Sequence, residues 1–134
     1  RKMRKKSEDD KKMLSDCESL VMKAIWDSGT DISTPELIET LRVRFRKDYK
    51  RSTVATFLLR LSEKGFVETY RKGRIAYVHA LKSEDEYRSR LMREETDFWF
   101  GGSVSDLLDA LGGVEKLSKQ SLKKIRDLLD DLDD

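Results

Sequence analysis

The sequence predicts a mainly α fold (α+β), with three short helices and a β-hairpin in one domain and a second helical region after it. Three segments between residues 13 and 64 place apolar residues at the spacing of an amphipathic helix. Two β-rich runs then flank a glycine turn, and helical periodicity returns from Ser83 onward. We therefore divide the chain into a basic arm (1–12), a helix-and-hairpin domain (13–81) and a helical region with an acidic tail (82–134).

The first helix is predicted to begin at a capping box, Ser15-Asp16-Cys17-Glu18, whose serine oxygen and glutamate carboxylate each accept from a helix N–H. Its apolar face consists of Leu20, Val21, Ala24 and Ile25. A thiol in a first turn can have a lowered pKa, but a small, half-buried apolar residue is the favoured interpretation of Cys17.

The second helix is predicted to begin at Ser33-Thr34-Pro35-Glu36, which offers cap residues and a proline at the first helical position. Ile32, just before it, is interpreted as an isolated apolar residue in a polar connection. The buried stripe consists of Leu37, Ile38, Leu41 and Phe45. Arg42, Arg44, Arg46 and Lys47 lie near the end of this helix, where cations also suit the helix dipole.

The third helix is predicted over residues 51–64, because Gly65 ends it and its core stripe has regular helical spacing. That stripe consists of Val54, Phe57, Leu58 and Leu61. The opposite face carries Ser52, Ala55, Thr56, Leu59 and Arg60. Most of these side chains are small or hydrogen-bonding, whereas a face made only for solvation is typically rich in Lys and Glu. Leu59 is predicted to be exposed.

The β-rich runs 66–71 and 75–81 predict two strands of a hairpin, joined by Lys72-Gly73-Arg74. The tip therefore carries three bases, and residues 71–74 form a predicted basic wing. Beyond it, helices are predicted up to Gly101-Gly102, from Ser103, and from about Ser118. Their apolar residues are too many for these slight helices to bury alone, so they predict self-association. They are Leu91, Phe98, Trp99, Phe100, Val104, Leu107, Leu108, Leu111, Leu122, Ile125 and Leu129. The alternative is that these helices fold back on the first domain.

Charge is distributed unevenly along the chain. Residues 1–80 carry 19 Lys or Arg against 12 Asp or Glu, a net charge of +7, while residues 81–134 carry a net charge of −5. A basic half suits a polyanion, because binding phosphates releases counterions. The arm, with five bases among its first six residues, could touch phosphate, although a solvated tail is the favoured interpretation.

Composition argues against several other functions. The only cysteine, Cys17, and the only histidine, His79, cannot form a disulfide or a typical zinc site, and no nucleophile motif or phosphate-binding glycine loop accompanies them. We therefore expect no enzyme and no cofactor. No apolar run approaches the roughly 20 residues that span a bilayer. We expect a cytoplasmic protein without a membrane segment.

The order of elements matches a winged helix-turn-helix plan. In such a module the third helix enters the major groove, where Ser and Thr reach base edges or phosphates and an apolar group meets a thymine methyl. The basic hairpin, with Lys72 and Arg74, then contacts the DNA backbone or the minor groove. The sequence therefore predicts a protein that binds double-stranded DNA.

Three stretches resemble the penicillinase repressor family of transcriptional repressors. They are Glu18 to Trp26, Ser52 to Val67 with its T-V-x-T-x-L-x-R-L-x-x-K-G string, and Phe100-Gly101-Gly102-Ser103. The resemblance covers about residues 14 to 132. It implies a winged-helix homodimer that binds a palindromic operator and dimerises through its C-terminal helices. By the same resemblance, the third helix approaches DNA with Ser52, Thr53, Ala55 and Thr56, and Lys50 and Arg51 lie near the phosphates at its start. Arg60 matches a further DNA-binding arginine of the family. Arg60 could instead pair with Glu63 or Glu68.

Two branches of that family have features that this chain does not share. Leu108-Asp109-Ala110-Leu111 does not reproduce the Asn-Phe bond that is cleaved in the resistance branch, and the cysteine cluster of the copper-responsive branch is absent. The inducer, and any sensor or protease partner, therefore stay open. The alternative function is a protein-interaction module, in which the third helix and Leu59 dock a protein.

Overall fold

The computed structural model describes residues 13–115 and 119–133, without the side chains of residues 114, 115, 121, 122 and 129–133. The basic arm predicted at residues 1–12 lies outside the described residues. Contacts divide the chain into two units, the first ending at Tyr87 and the second beginning at Arg88. The first unit contains the helices and the hairpin predicted at residues 13–81, and it ends six residues later.

Three helices build the first unit, and the first two begin at a serine cap. They are α1 (Asp16–Ser28), α2 (Thr34–Phe45) and α3 (Arg51–Glu63). The predicted capping box of α1 is confirmed: the Glu18 N–H donates to Ser15 Oγ (3.3 Å), and the Ser15 N–H donates to Glu18 Oε1 (2.8 Å). Ser33 Oγ accepts from the Glu36 N–H (3.3 Å), which fixes the start of α2. The serine caps therefore place two of the three helix starts where the sequence predicts them.

The β-sheet has three strands, one more than the sequence predicts. Strands β2 (Val67–Lys72) and β3 (Ile75–Ala80) form the predicted hairpin, with bounds shifted by a residue. Strand β1 (Ile32–Ser33) pairs antiparallel with the other edge of β3, so the order is β1-β3-β2. The interpretation of Ile32 as part of a polar connection is therefore wrong. The Ile32 side chain is 4% exposed, and the residue is paired with Val78. Pairing with β3 gives the backbone of this segment hydrogen-bond partners, so the side chain can be buried in the core.

An apolar core lies between the helices and the sheet of the first unit. Its largest buried members are Phe66, Met22, Leu37, Leu41 and Leu61. The predicted α3 stripe is confirmed at Val54, Leu58 and Leu61, which are all buried, while Phe57 is half-buried against Tyr49 with ring centroids 5.2 Å apart. The core therefore fixes which face of α3 is turned outward.

One ion pair is built into this core. Glu18 is 1% exposed, and its Oε1 accepts from Lys64 Nζ at 2.5 Å. Lys64 also donates to the Met13 carbonyl (2.9 Å). Burial alone would raise the pKa of Glu18, but the Lys64 ammonium and the Ser15 N–H outweigh it and lower that pKa below its ordinary value. The pair therefore ties the start of α1 to the end of α3.

Replacing Glu18 by Gln should destabilise the protein by about 1–2 kcal/mol at pH 7, because the amide leaves Lys64 without its counter-charge. Glu18 has a lowered pKa in the folded protein, so its contribution is present above pH 4.5 and is lost as the pH falls through the folded value. Urea unfolding at pH 7 and at pH 3 measures the difference. Glu63→Gln, an exposed control on α3, should change stability little; an equal loss in both variants would contradict the prediction.

The first unit extends past the predicted boundary into the next helix, α4 (Glu84–Phe100). Ser83 Oγ accepts from the Glu86 N–H (3.1 Å) and caps this helix. Tyr87 then packs on Trp26 and Phe66, with ring centroids 5.8 and 5.5 Å away, and its hydroxyl accepts from the Leu14 N–H (3.1 Å). The first turn of α4 is therefore part of the core of this unit.

The second unit consists of the rest of α4, α5 (Val104–Glu115) and α6 (Lys119–Asp133). Gly101 and Gly102 both have positive φ (57° and 84°), a conformation that glycine adopts readily, and they end α4 as predicted. Ser103 Oγ accepts from the Asp106 N–H (3.2 Å) and caps α5. An ion pair between Arg126 and Asp109 joins α6 to α5. No helix among the described residues is both long and apolar enough to cross a membrane.

Candidate nucleic-acid interface

The outward face of α3 is made of short side chains. Ser52, Ala55 and Thr56 are exposed, as are Leu59 and Arg60, whereas Thr53 is half-buried. Leu59 is 61% exposed, which confirms the expectation for this leucine. A face of this kind lets a helix backbone approach another surface closely, and Leu59 offers it an apolar contact. The suggested pairing of Arg60 with Glu63 or Glu68 does not form among the described side chains.

The N-terminus of α3 differs from the starts of α1 and α2. Its N-cap is Lys50, whose side chain makes no cap hydrogen bond, and no acidic residue lies in the first turn. The N–H groups of the first turn therefore lack a side-chain acceptor, and Lys50 and Arg51 add two positive charges beside them. Such a helix start suits an anionic oxygen, because both the N–H groups and the helix dipole favour negative charge.

The Thr56 hydroxyl is already engaged as a donor. It donates to the Ser52 carbonyl at 3.1 Å, one turn earlier on α3. This bond uses the hydroxyl proton, and the exposed oxygen keeps its capacity to accept. Thr56 can therefore accept from an amino group, which on a DNA base edge means adenine N6 or cytosine N4.

The hairpin tip is a tight, basic turn. Gly73 has φ 66°, and Arg71 Nη1 donates to the Arg74 carbonyl (3.2 Å), which holds the tip together. Lys72 Nζ lies 5.9 Å from the centroid of the Tyr77 ring. The tip therefore carries three cations on a short, ordered turn.

A cleft of about 910 Å³ lies between α3 and the hairpin, inside the first unit. Apolar side chains line it from both elements, and the same walls carry four bases. The apolar lining includes Leu58, Leu59 and Ile75, and the bases are Lys50, Arg51, Arg71 and Arg74. Helix and hairpin thus form one concave, basic surface, which we call the basic cleft.

The cleft unites some of the predicted residues and leaves others out. Of the nine predicted DNA-binding residues, it is lined by Lys50, Arg51, Ser52, Ala55 and Arg74, but not by Thr53, Thr56, Arg60 or Lys72. Arg71 does line it; this residue belongs to the predicted basic wing (71–74) but not to the nine predicted DNA-binding residues. The alternation of β2 could have revealed this, because Arg71 has the same parity as the buried Val67, whereas Lys72 has the opposite parity.

A three-residue hydrogen-bonded cluster fixes the sheet end of the hairpin. Asp31 Oδ2 accepts from the Tyr70 hydroxyl at 2.5 Å, and its Oδ1 lies 2.8 Å from His79 Nδ1. The hydrogen bond to Asp31 raises the pKa of His79, and the bonds from Tyr70 and His79 lower the pKa of Asp31. Asp31 precedes β1, so this cluster connects all three strands. His79 is exposed.

Replacing Asp31 by Asn should lower the pKa of His79 toward its ordinary value of 6.5, because the carboxylate is its main stabilising partner. The raised pKa means that the contribution of His79 to stability is complete below pH 6.5 and disappears as the pH rises through the folded value. An NMR titration of the single histidine ring measures this pKa directly. Glu68→Gln, opposite His79 on β2, should lower it less; equal shifts in the two variants would contradict the prediction.

The residues predicted to mediate self-association differ in exposure. Phe98 and Trp99 are 70% and 68% exposed, and Val104 and Leu111 are also exposed. Half-buried members are Leu91, Phe100, Leu107 and Ile125. Leu108 is buried at 7% exposure. The side chains of Leu122 and Leu129 lie outside the described residues.

Within the described part of the chain, no group of three or more His, Cys, Asp or Glu side chains could hold a metal ion.

Comparison with known proteins identifies the family. The family model described as Penicillinase repressor matches residues 14–131. The penicillinase repressor of Staphylococcus aureus is 23% identical over 112 residues, which cover 84% of this chain and 86% of that protein. The methicillin resistance regulatory protein MecI of Staphylococcus aureus (strain N315) is 24% identical over 116 residues, or 87% and 92% of the two chains.

A solved structure is also similar. The solution structure of the DNA binding domain of the repressor BlaI has 33% identity and a TM-score of 0.48, and the match covers 56% of this chain and 88% of that one. The match of the family model covers nearly the whole chain, from just before the capping box of α1 to the last turn of α6. The chain therefore belongs to the penicillinase repressor family.

Proposed function

We propose that this chain, a DNA-binding repressor, acts as a homodimer that occupies a palindromic operator and so excludes polymerase from a promoter. The observation that carries the proposal is the basic cleft, where α3 and the hairpin present one concave surface with Lys50, Arg51, Arg71 and Arg74. A convex polyanion such as the DNA backbone complements that shape and charge. Binding alone accounts for the effect, and no reaction is catalysed.

We infer that each part of the surface makes a different contact. The outward face of α3 lies in the major groove, where its short side chains allow close approach and Thr56 accepts from a base amino group. Lys50 and Arg51 hold a phosphate at the helix start, and the hairpin tip follows the backbone with Arg74 and Lys72. Sequence is then read mainly by α3, and affinity comes mainly from the cations.

We further infer that two copies bind together. The exposed Phe98 and Trp99 lie in the second unit, outside the basic cleft, so the same chain can present one surface to DNA and another to its copy. A two-fold symmetric dimer reads two half-sites, whose centres lie about 10 base pairs or a multiple of that apart on one face of the DNA. Such a dimer would act in the cytoplasm, where it meets the operator.

Fluorescence anisotropy tests the proposal, with DNA from upstream of the protein's own gene and a scrambled fragment of equal length, at two salt concentrations. Specific binding predicts high affinity for the native fragment only, with an affinity that falls steeply as salt rises. Weak and equal binding to both fragments, with little dependence on salt, would contradict it. That outcome would favour the docking of a protein on Leu59, because an apolar interface is far less sensitive to salt.

A further inference from the structure

The connection between α2 and α3 contains an unusual backbone conformation. Arg46 has φ 56° and ψ 36°, in the left-handed region. Every other described residue with positive φ is a glycine. The left-handed conformation crowds the Cβ of an L-residue against its own backbone, so glycine is the usual residue at such a position.

The position is the C-cap of α2, where glycine would serve the fold better. The turn after Arg46 is closed by the Lys47 N–H, which donates to the Leu41 carbonyl at 3.1 Å. This bond uses only backbone atoms and needs no side chain at position 46. The same chain ends α1 with Gly29 in the left-handed conformation, at φ 71°. The side chain of Arg46 therefore adds nothing to the cap and makes its backbone less favourable.

The guanidinium of Arg46 also has no partner within the described part of the chain. The two preceding arginines do have partners: Arg42 pairs with Glu39 at 2.5 Å, and Arg44 pairs with Asp27 at 2.7 Å. Arg46 is exposed, and no hydrogen bond or ion pair joins its side chain to another described residue. Its charge is thus available to a partner outside the chain.

The location of Arg46 favours DNA as that partner. Arg46 lies four residues before Lys50, the N-cap of α3, so its Cα lies within about 14 Å of the start of α3. Lys47 and Lys50, the other bases of this connection, are exposed as well. We propose that Arg46 is a further DNA-binding residue, which contacts a backbone phosphate beside the one held at the start of α3. This inference rests on the proposed function.

A phosphate is the expected contact, since a guanidinium matches phosphate oxygens in a bidentate geometry. A phosphate contact carries no sequence information. The loss of Arg46 should therefore weaken binding to specific and scrambled DNA by the same factor. This uniform loss distinguishes it from a residue that reads bases.

Three substitutions separate the charge of Arg46 from its backbone. Arg46→Ala removes the guanidinium and keeps a Cβ in the left-handed region. Arg46→Gly removes both, and it should raise the thermal unfolding midpoint by about 2–6 °C. Arg46→Lys keeps the charge. Arg42→Gln is the matched control, because it removes one positive charge from the preceding turn, where the guanidinium already pairs with Glu39.

Anisotropy titrations of the full chain on operator DNA over a range of salt concentrations measure the effect. The slope of log affinity against log salt is negative, and each phosphate contact contributes about 0.9 to its magnitude. A two-fold symmetric complex contains two copies of Arg46, so that magnitude should decrease by about 1.8 in Arg46→Ala and in Arg46→Gly. Affinity should fall about tenfold in both. Arg46→Lys should recover most of the slope, and Arg42→Gln should keep it.

The outcomes are distinct. A more stable Arg46→Gly variant with unchanged affinity and slope would overturn the proposal, because position 46 would then serve only the fold. A loss confined to the specific fragment would overturn the phosphate contact. If the wild-type chain itself fails to bind any operator DNA, the proposed function fails, and the role of Arg46 fails with it.

Discussion

Replacing Thr56 by Asp should lower operator affinity by at least about 100-fold, with the fold intact. Thr56 lies on the outward face of α3, one turn after Ser52, so its replacement changes no core contact. In the proposed complex the new carboxylate would lie in the major groove, between two rows of phosphates. Two effects add there: the loss of a base contact, and the repulsion of a negative charge by the backbone.

A matched control separates the site of the charge from the charge itself. Ser19→Asp places the same carboxylate on the exposed side of α1, an element that does not line the basic cleft. We expect its operator affinity to stay within about threefold of the wild type, since only the net charge has changed. Circular dichroism should show the same helix content in both variants. Equal losses of affinity in Ser19→Asp and Thr56→Asp would contradict the placement of α3 in the groove.

Milder substitutions report on the chemistry of the contact. Thr56→Ser keeps an oxygen that can donate to the Ser52 carbonyl and accept from a base, so it should retain most of the affinity. Thr56→Ala removes the acceptor and should lose about 5- to 30-fold, on the native operator but not on scrambled DNA. If Thr56→Ala weakened both fragments equally, Thr56 would contact a phosphate and would not contribute to sequence choice.

The sequence predicts the helices and the hairpin well because each has a strong local pattern. Ser15 and Ser33 mark helix starts through short-range hydrogen bonds, and Gly73 allows the hairpin turn. The stripe of α3 fixes its buried face, and therefore also the exposure of Leu59. These features depend on neighbours within four residues in the chain, which is the distance over which periodicity and capping carry information.

The sequence predicts poorly what depends on distant contacts. Strand β1 has two residues, too few to show an alternation, and it exists because Val78 lies beside Ile32 in space. The core position of Tyr87 likewise depends on Trp26 and Phe66, 61 and 21 residues earlier in the chain. The basic cleft itself needs the hairpin to lie against α3, and only the structure brings Arg71 into it.

The largest effect expected in the second unit is the loss of dimers when Phe98 and Trp99 are both replaced by Ser. The two rings are 70% and 68% exposed in the single chain and pack edge to face, with centroids 4.9 Å apart. Trp99 Nε1 already donates to Glu95 Oε2 (2.8 Å), so the indole can enter an interface without leaving a polar group unsatisfied. The pair is thus a preformed apolar surface.

The size of the effect follows from the area that these rings offer. Burying most of an exposed aromatic side chain contributes about 2 kcal/mol, and two-fold symmetry counts each ring twice. If only about a third of that sum of about 8 kcal/mol is realised, dimerisation weakens by about 100-fold, so we expect at least that loss. The stability of the monomer should stay nearly unchanged, because little of either ring is buried there. Sedimentation equilibrium of the wild type and of the double variant measures the difference. Leu81→Ser, an exposed apolar residue of the first unit, is the control.

DNA binding should respond in a way that only a dimer explains. The double variant keeps its basic cleft, so its affinity for a single half-site should equal that of the wild type. Its affinity for the full palindrome should fall strongly, because two linked half-site contacts become two independent ones. A double variant that remains dimeric would show that the interface uses another part of the helical region, such as Val104 and Leu111 on α5. A loss of half-site binding would instead mean that these rings support the first unit.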